Sequence, residues 1–213
     1  MGRFDVKKIQ PQVTTSAPSA ESPPIKMPSV FDKYFIAVDR DGVLCENAEV
    51  ISGAGDFKPI DDSMKAIATI RSKGHKLAII FDQPAISQNK LKTTDVDAVN
   101  QYMLNLFGQA GCTSIDGIWY NVSNKKDDPF GKPNTGMFNR AIETDPRLDI
   151  KGGAYVGDSL DDLLMADKAG ATPILVLTGN GKKTQEKLEN HLYKQLKSKV
   201  QIYDNLMAFA ESL

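Results

Sequence analysis

Phe35-Ile36-Ala37-Val38-Asp39-Arg40-Asp41-Gly42-Val43-Leu44 is a short apolar run that ends in Asp-x-Asp-Gly. A run of this length closed by a turn signal suits a buried strand. Side chains alternate along an extended chain, so Asp39 and Asp41 can project from the same side of the strand end. Gly42 then lets the chain turn sharply or come close to a ligand. Taken alone, these residues would serve equally well as an acidic turn closing a strand.

Outward from this run, short apolar segments alternate with helix-period segments, the pattern of a parallel sheet with crossover helices. The apolar runs fall at 34–38, 76–81, 115–120, 154–156, 174–177 and 200–203, and helices are expected near 61–73, 94–107, 134–143, 160–169, 183–197 and 204–212. Met103, Leu106 and Phe107 form one apolar helical stripe, and Leu188, Leu192 and Leu196 form another at i, i+4 spacing. Both stripes read as core. The expected architecture is a Rossmann-like three-layer α/β/α fold with a mostly parallel sheet.

Residues 1–30 differ in character: five of the eleven prolines (Pro11, Pro18, Pro23, Pro24, Pro28) lie there among Ser, Thr and Ala. Such a stretch buries too little apolar surface to offset its ordering entropy. The expectation is a flexible Pro/Ser-rich arm on a domain spanning 31–213, with a segment that orders against a protein partner as the sharper reading. Over 213 residues, 26 Lys and Arg meet 27 Asp and Glu, for a formal net charge of −1. That balance gives no drive toward nucleic acid or an anionic membrane. Two cysteines, Cys45 and Cys112, make no disulfide framework, and the apolar runs fall far short of the roughly 20 residues that span a bilayer. The chain reads as cytoplasmic, with reduced thiols and no membrane span.

A second acidic cluster changes the meaning of the first. Ala154-Tyr155-Val156-Gly157-Asp158-Ser159-Leu160-Asp161-Asp162 is again an apolar strand running into Gly-Asp and a helix start. If both strands share one parallel sheet, Asp158 reaches the same edge as Asp39 and Asp41, where ligands bind in such sheets. Three carboxylates there repel one another unless a cation neutralises them. All-oxygen ligation with room for water and phosphate suits Mg²⁺ better than zinc. Asp161 serves equally as a first-turn helix acid. Between the clusters, Gly131-Lys132-Pro133-Asn134-Thr135-Gly136-Met137-Phe138 sets a lysine before a proline suited to a first helical turn. Lys132 is either a solvated loop lysine or a cation for a phosphoryl group.

The order of these motifs, followed by Thr178-Gly179-Asn180-Gly181 after the next strand, resembles the haloacid dehalogenase (HAD) superfamily of phosphatases over residues 34–212. Within it the chain looks most like the histidinol-phosphate and heptose-bisphosphate phosphatase branch. The resemblance implies a Mg²⁺-dependent hydrolase of a phosphomonoester, acting on a small metabolite such as a sugar phosphate. It makes Asp39 the nucleophile that becomes an aspartyl-phosphate and Asp41 the group that protonates the leaving oxygen and then activates water. Mg²⁺ would be held by Asp39, the backbone carbonyl of Asp41 and Asp158, with Asp162 in support. Lys132 would offset charge on the phosphoryl oxygens, and Gln83 and Ser159 would join it in binding substrate.

Three departures stand out. Where the family has a Thr or Ser at the second strand end, commonly in Thr-Asn-Gln-Ser-Gly, this chain reads Phe81-Asp82-Gln83-Pro84-Ala85. Losing that hydroxyl would cost on the order of 10²–10³ in rate by analogy with an oxyanion donor, and Asp82 adds negative charge beside an anionic substrate. The loop 120–130, where many relatives carry a zinc site, has no Cys or His, so no zinc is expected. Gly131 stands where relatives often have Arg, with Lys125 and Lys126 nearby as possible compensation. The intervals from Asp41 to Phe81 and from Phe81 to Lys132 already hold a helix each. They leave no room for a large cap, so the site should be open, shaded only by loops 45–58 and 121–131. The lysines of 182–199 read as the basic outer face of an amphipathic helix. The alternative is a catalytically impaired HAD domain kept as a binding or assembly module.

Overall fold

A computed structural model describes residues 34–189 and 196–213. Six strands form one sheet: β1 (Phe35–Val38), β2 (Lys76–Asp82), β3 (Gly117–Asn121), β4 (Ala154–Gly157), β5 (Thr172–Val176) and β6 (Gln201–Tyr203). Their spatial order is β3-β2-β1-β4-β5-β6, and every pairing is parallel. The crossovers are helical: α1 (Ser63–Ser72), α2 (Thr93–Gln109), α3 (Gly136–Thr144), α4 (Leu160–Ala169), α5 (Gly181–Glu189) and the terminal α6 (Leu206–Ser212). No cap-sized insertion interrupts this order among the described residues, as the motif spacing led us to expect.

The period of two in the strands sorts their side chains onto two faces. Ile36 and Val38 of β1 and Leu77, Ile79 and Phe81 of β2 join α1, α2 and α6 in one apolar cluster. Phe35, Ala37, Ala78 and Ile80 join α3 and α4 in the other. Both faces of β1 are therefore dry, which is why the strand is a continuous apolar run. Met103 and Phe107 are buried as the first helical stripe anticipates, with Leu106 packed partly against them.

The topology also locates the site. Successive strands are laid outward from β1 through β2 to β3, and then from β4 on the other side to β6. The connections leave in opposite directions at β1 and β4, and a crevice opens outside their carboxyl ends. Val38 pairs with Val156, and the Asp39 amide donates to the Val156 carbonyl at 2.9 Å, so the two acidic motifs emerge side by side.

Two expectations need correction, and one lies partly out of view. Pro133 does not open α3, which begins at Gly136. The Lys132–Pro133 bond is cis and belongs to a loop tied by the Gly136 amide donating to the Pro129 carbonyl. A Cβ at Gly136 would press on that backbone, which explains the glycine. Second, α5 is described only to Glu189, and Leu196 and Lys197 are not helical; the Asp167 carboxylate accepts from the amides of Lys197 and Ser198 there. Leu188 and Leu196 are half-buried, outside the core, while Leu192 and the arm 1–30 lie outside the described residues.

Candidate active site

At the crevice, Lys132 is the hub. Its Nζ lies 2.8 Å from Asp39 Oδ1 and 2.7 Å from Asp162 Oδ1. The loop before α3 delivers it, and the Asp82 carboxylate fixes that loop by accepting from the Lys132 amide at 3.1 Å. Asp82 continues the Ile80 side of β2, the side on which Lys132 lies over the Tyr155 ring. Asn121 on β3 donates to the other Asp82 oxygen.

Asp39, Asp158 and Asp162 each offer an oxygen, and these atoms lie within 4.8 Å of one another. Asp158 is held by Asn47 Nδ2 at 3.0 Å and the Asn180 amide at 2.7 Å, both on Oδ2, while Thr184 Oγ1 donates to its carbonyl. Gly42 has φ +80°, and a Cβ there or at Gly179 would overlap the Asp158 carboxylate. Only glycine lets both loops close on that side chain. Asp162 sits at the third position of α4 in a capping box: Ser159 Oγ and Ser159 N donate to Asp162 Oδ2, and the Asp162 amide donates back to Ser159 Oγ. Ser159, read from sequence as a substrate contact, is thus the helix N-cap with its hydroxyl turned to Asp162. Asp161 is exposed in the same first turn.

Burial pushes the Asp39 carboxyl well above the usual range, opposed by Lys132 and reinforced by Asp162 and Asp41. Burial alone would lower Lys132, but Asp162 and Asp39 overcome it and hold the ammonium charged. Asp158 and Asp82 are also pushed up by burial, against the hydrogen bonds they accept. One ammonium among these carboxylates leaves an excess of negative charge in a dry crevice. The donor set is all oxygen, compact and undercompensated, so it fits a hard divalent cation such as Mg²⁺.

Asp41 takes a different partner. Arg40, 1% exposed, donates through Nε to Asp41 Oδ1 at 2.8 Å and through Nη2 to Oδ2 at 2.9 Å. Gln83, read as a substrate contact, is buried, and its Oε1 accepts from Arg40 Nη2 at 3.2 Å. The Phe81 ring lies under the guanidinium, 4.0 Å from Cζ. Arg40 and Asn47 were not foreseen as site residues. Arg40 could have been suspected from its place between the two aspartates, whereas Asn47 carries no local signal.

Beside Lys132 a cavity of about 860 Å³ is lined by Asp82, Asn121, Lys125, Lys126, Lys132 and Asp161. Across Asp161 a smaller one of about 320 Å³ is lined by Asn180, Lys183 and Lys187. Loop 121–131 therefore borders the larger cavity, and loop 45–58 contributes Asn47 to the crevice.

Comparison with known proteins agrees with this geometry. Residues 129–201 match the model of the HAD-hydrolase-like family. A D-glycero-β-D-manno-heptose-1,7-bisphosphate 7-phosphatase of Neisseria meningitidis is 32% identical over 180 residues, covering 83% of this chain and 92% of the relative. A protein of the same name from Pseudomonas putida is 28% identical over 84% of this chain and 98% of the relative. The crystal structure of D,D-heptose 1,7-bisphosphate phosphatase from B. bronchiseptica, complexed with magnesium and phosphate, superposes with a TM-score of 0.75 at 26% identity. It covers 84% of this chain and 97% of that one. The chain belongs to the HAD-like hydrolases and is a phosphoric monoester hydrolase, similar to relatives named heptose-bisphosphate phosphatases.

Proposed function

We propose that the protein is a Mg²⁺-dependent phosphatase that removes a phosphoryl group from a phosphorylated sugar, a heptose bisphosphate or a close analogue, through an aspartyl-phosphate on Asp39. The observation that carries this reading is the convergence of Asp39, Asp158 and Asp162, two of them paired with Lys132, at the crevice between β1 and β4. The names of the relatives support the sugar, and the polar cavity beside Lys132 is large enough to take one.

In this reading Asp39 is the nucleophile, and Lys132 Nζ and the Arg40 amide, both on Oδ1, hold its carboxylate in place. Asp39, Asp158 and the Asp41 carbonyl would hold Mg²⁺, with Asp162 and Asn47 orienting that set; bound there, the ion lends positive charge to the phosphoryl oxygens and to the Asp39 carboxylate. Burial raises Asp39, and the Lys132 ammonium beside it opposes that shift in favour of the anion. Lys132 balances charge on the transferring group. Asp41 gives a proton to the departing sugar oxygen and takes one from the water that hydrolyses the acyl phosphate.

A second reading, an impaired domain kept for binding, is favoured by Phe81, which is 1% exposed and brings no hydroxyl to the crevice. Phosphate release from sugar phosphates, with Mg²⁺ or EDTA, separates the two. Metal-dependent turnover that Asp39→Asn abolishes is the expected result. An inactive parent that gains turnover in Phe81→Thr would favour the second reading.

A further inference from the structure

Phe81 stands where related chains carry a hydroxyl, and its surroundings suggest what it does instead. By the alternation of β2 its ring falls on the side of Leu77 and Ile79, away from Lys132. It pairs in register with Tyr120 of β3 and stacks on that ring at 5.4 Å and 23°. On it lies the Arg40 guanidinium, 4.0 Å from the ring centre to Cζ. Buried Nη1 has no hydrogen-bond partner, and a planar cation on a ring face is partly compensated for that loss. The remaining donors of Arg40 go to Gln83 and to both oxygens of Asp41.

This fork does not treat the two oxygens of Asp41 alike. Oδ1 accepts from Arg40 Nε, and its other side is closed by the buried Cys45 Sγ at 3.4 Å, a thiol that also reaches the Arg40 carbonyl at 3.6 Å. Oδ2 accepts only from Nη2. A carboxylate oxygen accepts two hydrogen bonds, so one lone pair of Oδ2 is left open on a side chain that is 29% exposed.

We propose that Arg40, seated on Phe81, is the positioning residue for Asp41 and makes Oδ2 its acid–base atom. The proposal rests on the reading of Asp41 given above. In the first step the proton moves from Asp41 Oδ2 to the departing sugar oxygen as the Asp39–phosphorus bond forms and the sugar oxygen–phosphorus bond breaks. In the second, water attacks phosphorus, its proton passes to Oδ2, and the Asp39–phosphorus bond breaks to release phosphate. Phe81 thus fixes the cation that aims the acid.

Two variants test this: Arg40→Lys, which keeps the charge but cannot form the fork, and Phe81→Leu, which removes the ring and keeps buried apolar volume. Each is compared with the parent on D-glycero-D-manno-heptose 1,7-bisphosphate, whose alkoxide must be protonated to leave, and on p-nitrophenyl phosphate, whose phenolate leaves without help. Thermal melting establishes that each variant folds, and Phe81→Leu carries the test should Arg40→Lys not fold. The expected result is a loss of kcat on the sugar substrate about 10- to 100-fold greater than on p-nitrophenyl phosphate, since acid–base assistance is worth roughly 10²–10⁴. KM should stay unchanged. Equal losses on the two substrates, or no loss on the sugar, would overturn the role of Arg40 while leaving the phosphatase reading intact. A parent inactive on both substrates with Mg²⁺ would overturn that reading and this inference together.

Discussion

Asp41 and Arg40 are a charge pair with an uneven environment: the cation is sealed in and the carboxylate is at the crevice. Removing the carboxylate strands the cation, which costs more than a surface ion pair would. Asp41→Ala should therefore destabilise the fold by about 3 kcal/mol, the lower end for a broken buried pair because Asp41 is partly open. Denaturant unfolding measures it. A loss of activity with unchanged stability would show that Arg40 finds compensation elsewhere. The motifs at two strand ends pointed to Asp39 and Asp158, which the structure brings together, while Lys132 and Asp162 took their meaning from the family resemblance, and Asp41, expected beside the other two aspartates, is turned to Arg40. The partner of Asp41 was not legible in the sequence, since no spacing rule says that Arg40 folds back onto its neighbour. Asn47 was hidden for another reason: it reaches Asp158 from a loop distant in sequence.

The elements do two kinds of positioning. Strands β1 and β4 deliver carboxylates by register, and helix α4 holds one of them by its cap. In α4 the same Ser159 hydroxyl satisfies the Asp162 amide and steadies the Asp162 carboxylate. Ser159→Ala should cost about 1 kcal/mol of stability, as for other lost N-caps. It should also weaken Mg²⁺ binding by roughly 10-fold, as for lost support around metal ligands. Urea unfolding and Mg²⁺ titration of turnover check both; unchanged metal affinity would limit Ser159 to capping. The strands were readable to within two residues at their ends because each is centred on a short apolar run, continuous in β1 where both sheet faces are buried. The helices are shifted where backbone hydrogen bonding decides the boundary: α3 starts after Pro133 because its preceding loop closes on itself. Leu188 and Leu196 lie outside the core although their spacing suggested it, because periodicity marks a face without saying what lies against it.

For the molecule as a whole, the buried acids tie stability to pH, and in the proposed reading to metal as well. Burial raises Asp39, Asp158 and Asp82 above their unfolded values, so the folded chain binds more protons than the unfolded one between those limits. Their contribution to metal-free stability is fully present below the ordinary carboxylate range and is lost as pH rises from there through the raised values. In the proposed reading Mg²⁺ would take the deprotonated groups, so its stabilising effect should be larger at about pH 8 than at about pH 5.5. Thermal melts with Mg²⁺ or EDTA at both values read this, and an equal shift at the two would contradict it. The topological switch between β1 and β4 gathers all of these groups at one edge, which is the step from fold to chemistry. The most direct test of that chemistry is phosphate release from D-glycero-D-manno-heptose 1,7-bisphosphate by the parent and Asp39→Asn, each with Mg²⁺ or EDTA. The account expects turnover in the parent with Mg²⁺ alone and none in Asp39→Asn; turnover that persists in Asp39→Asn or in EDTA would contradict it.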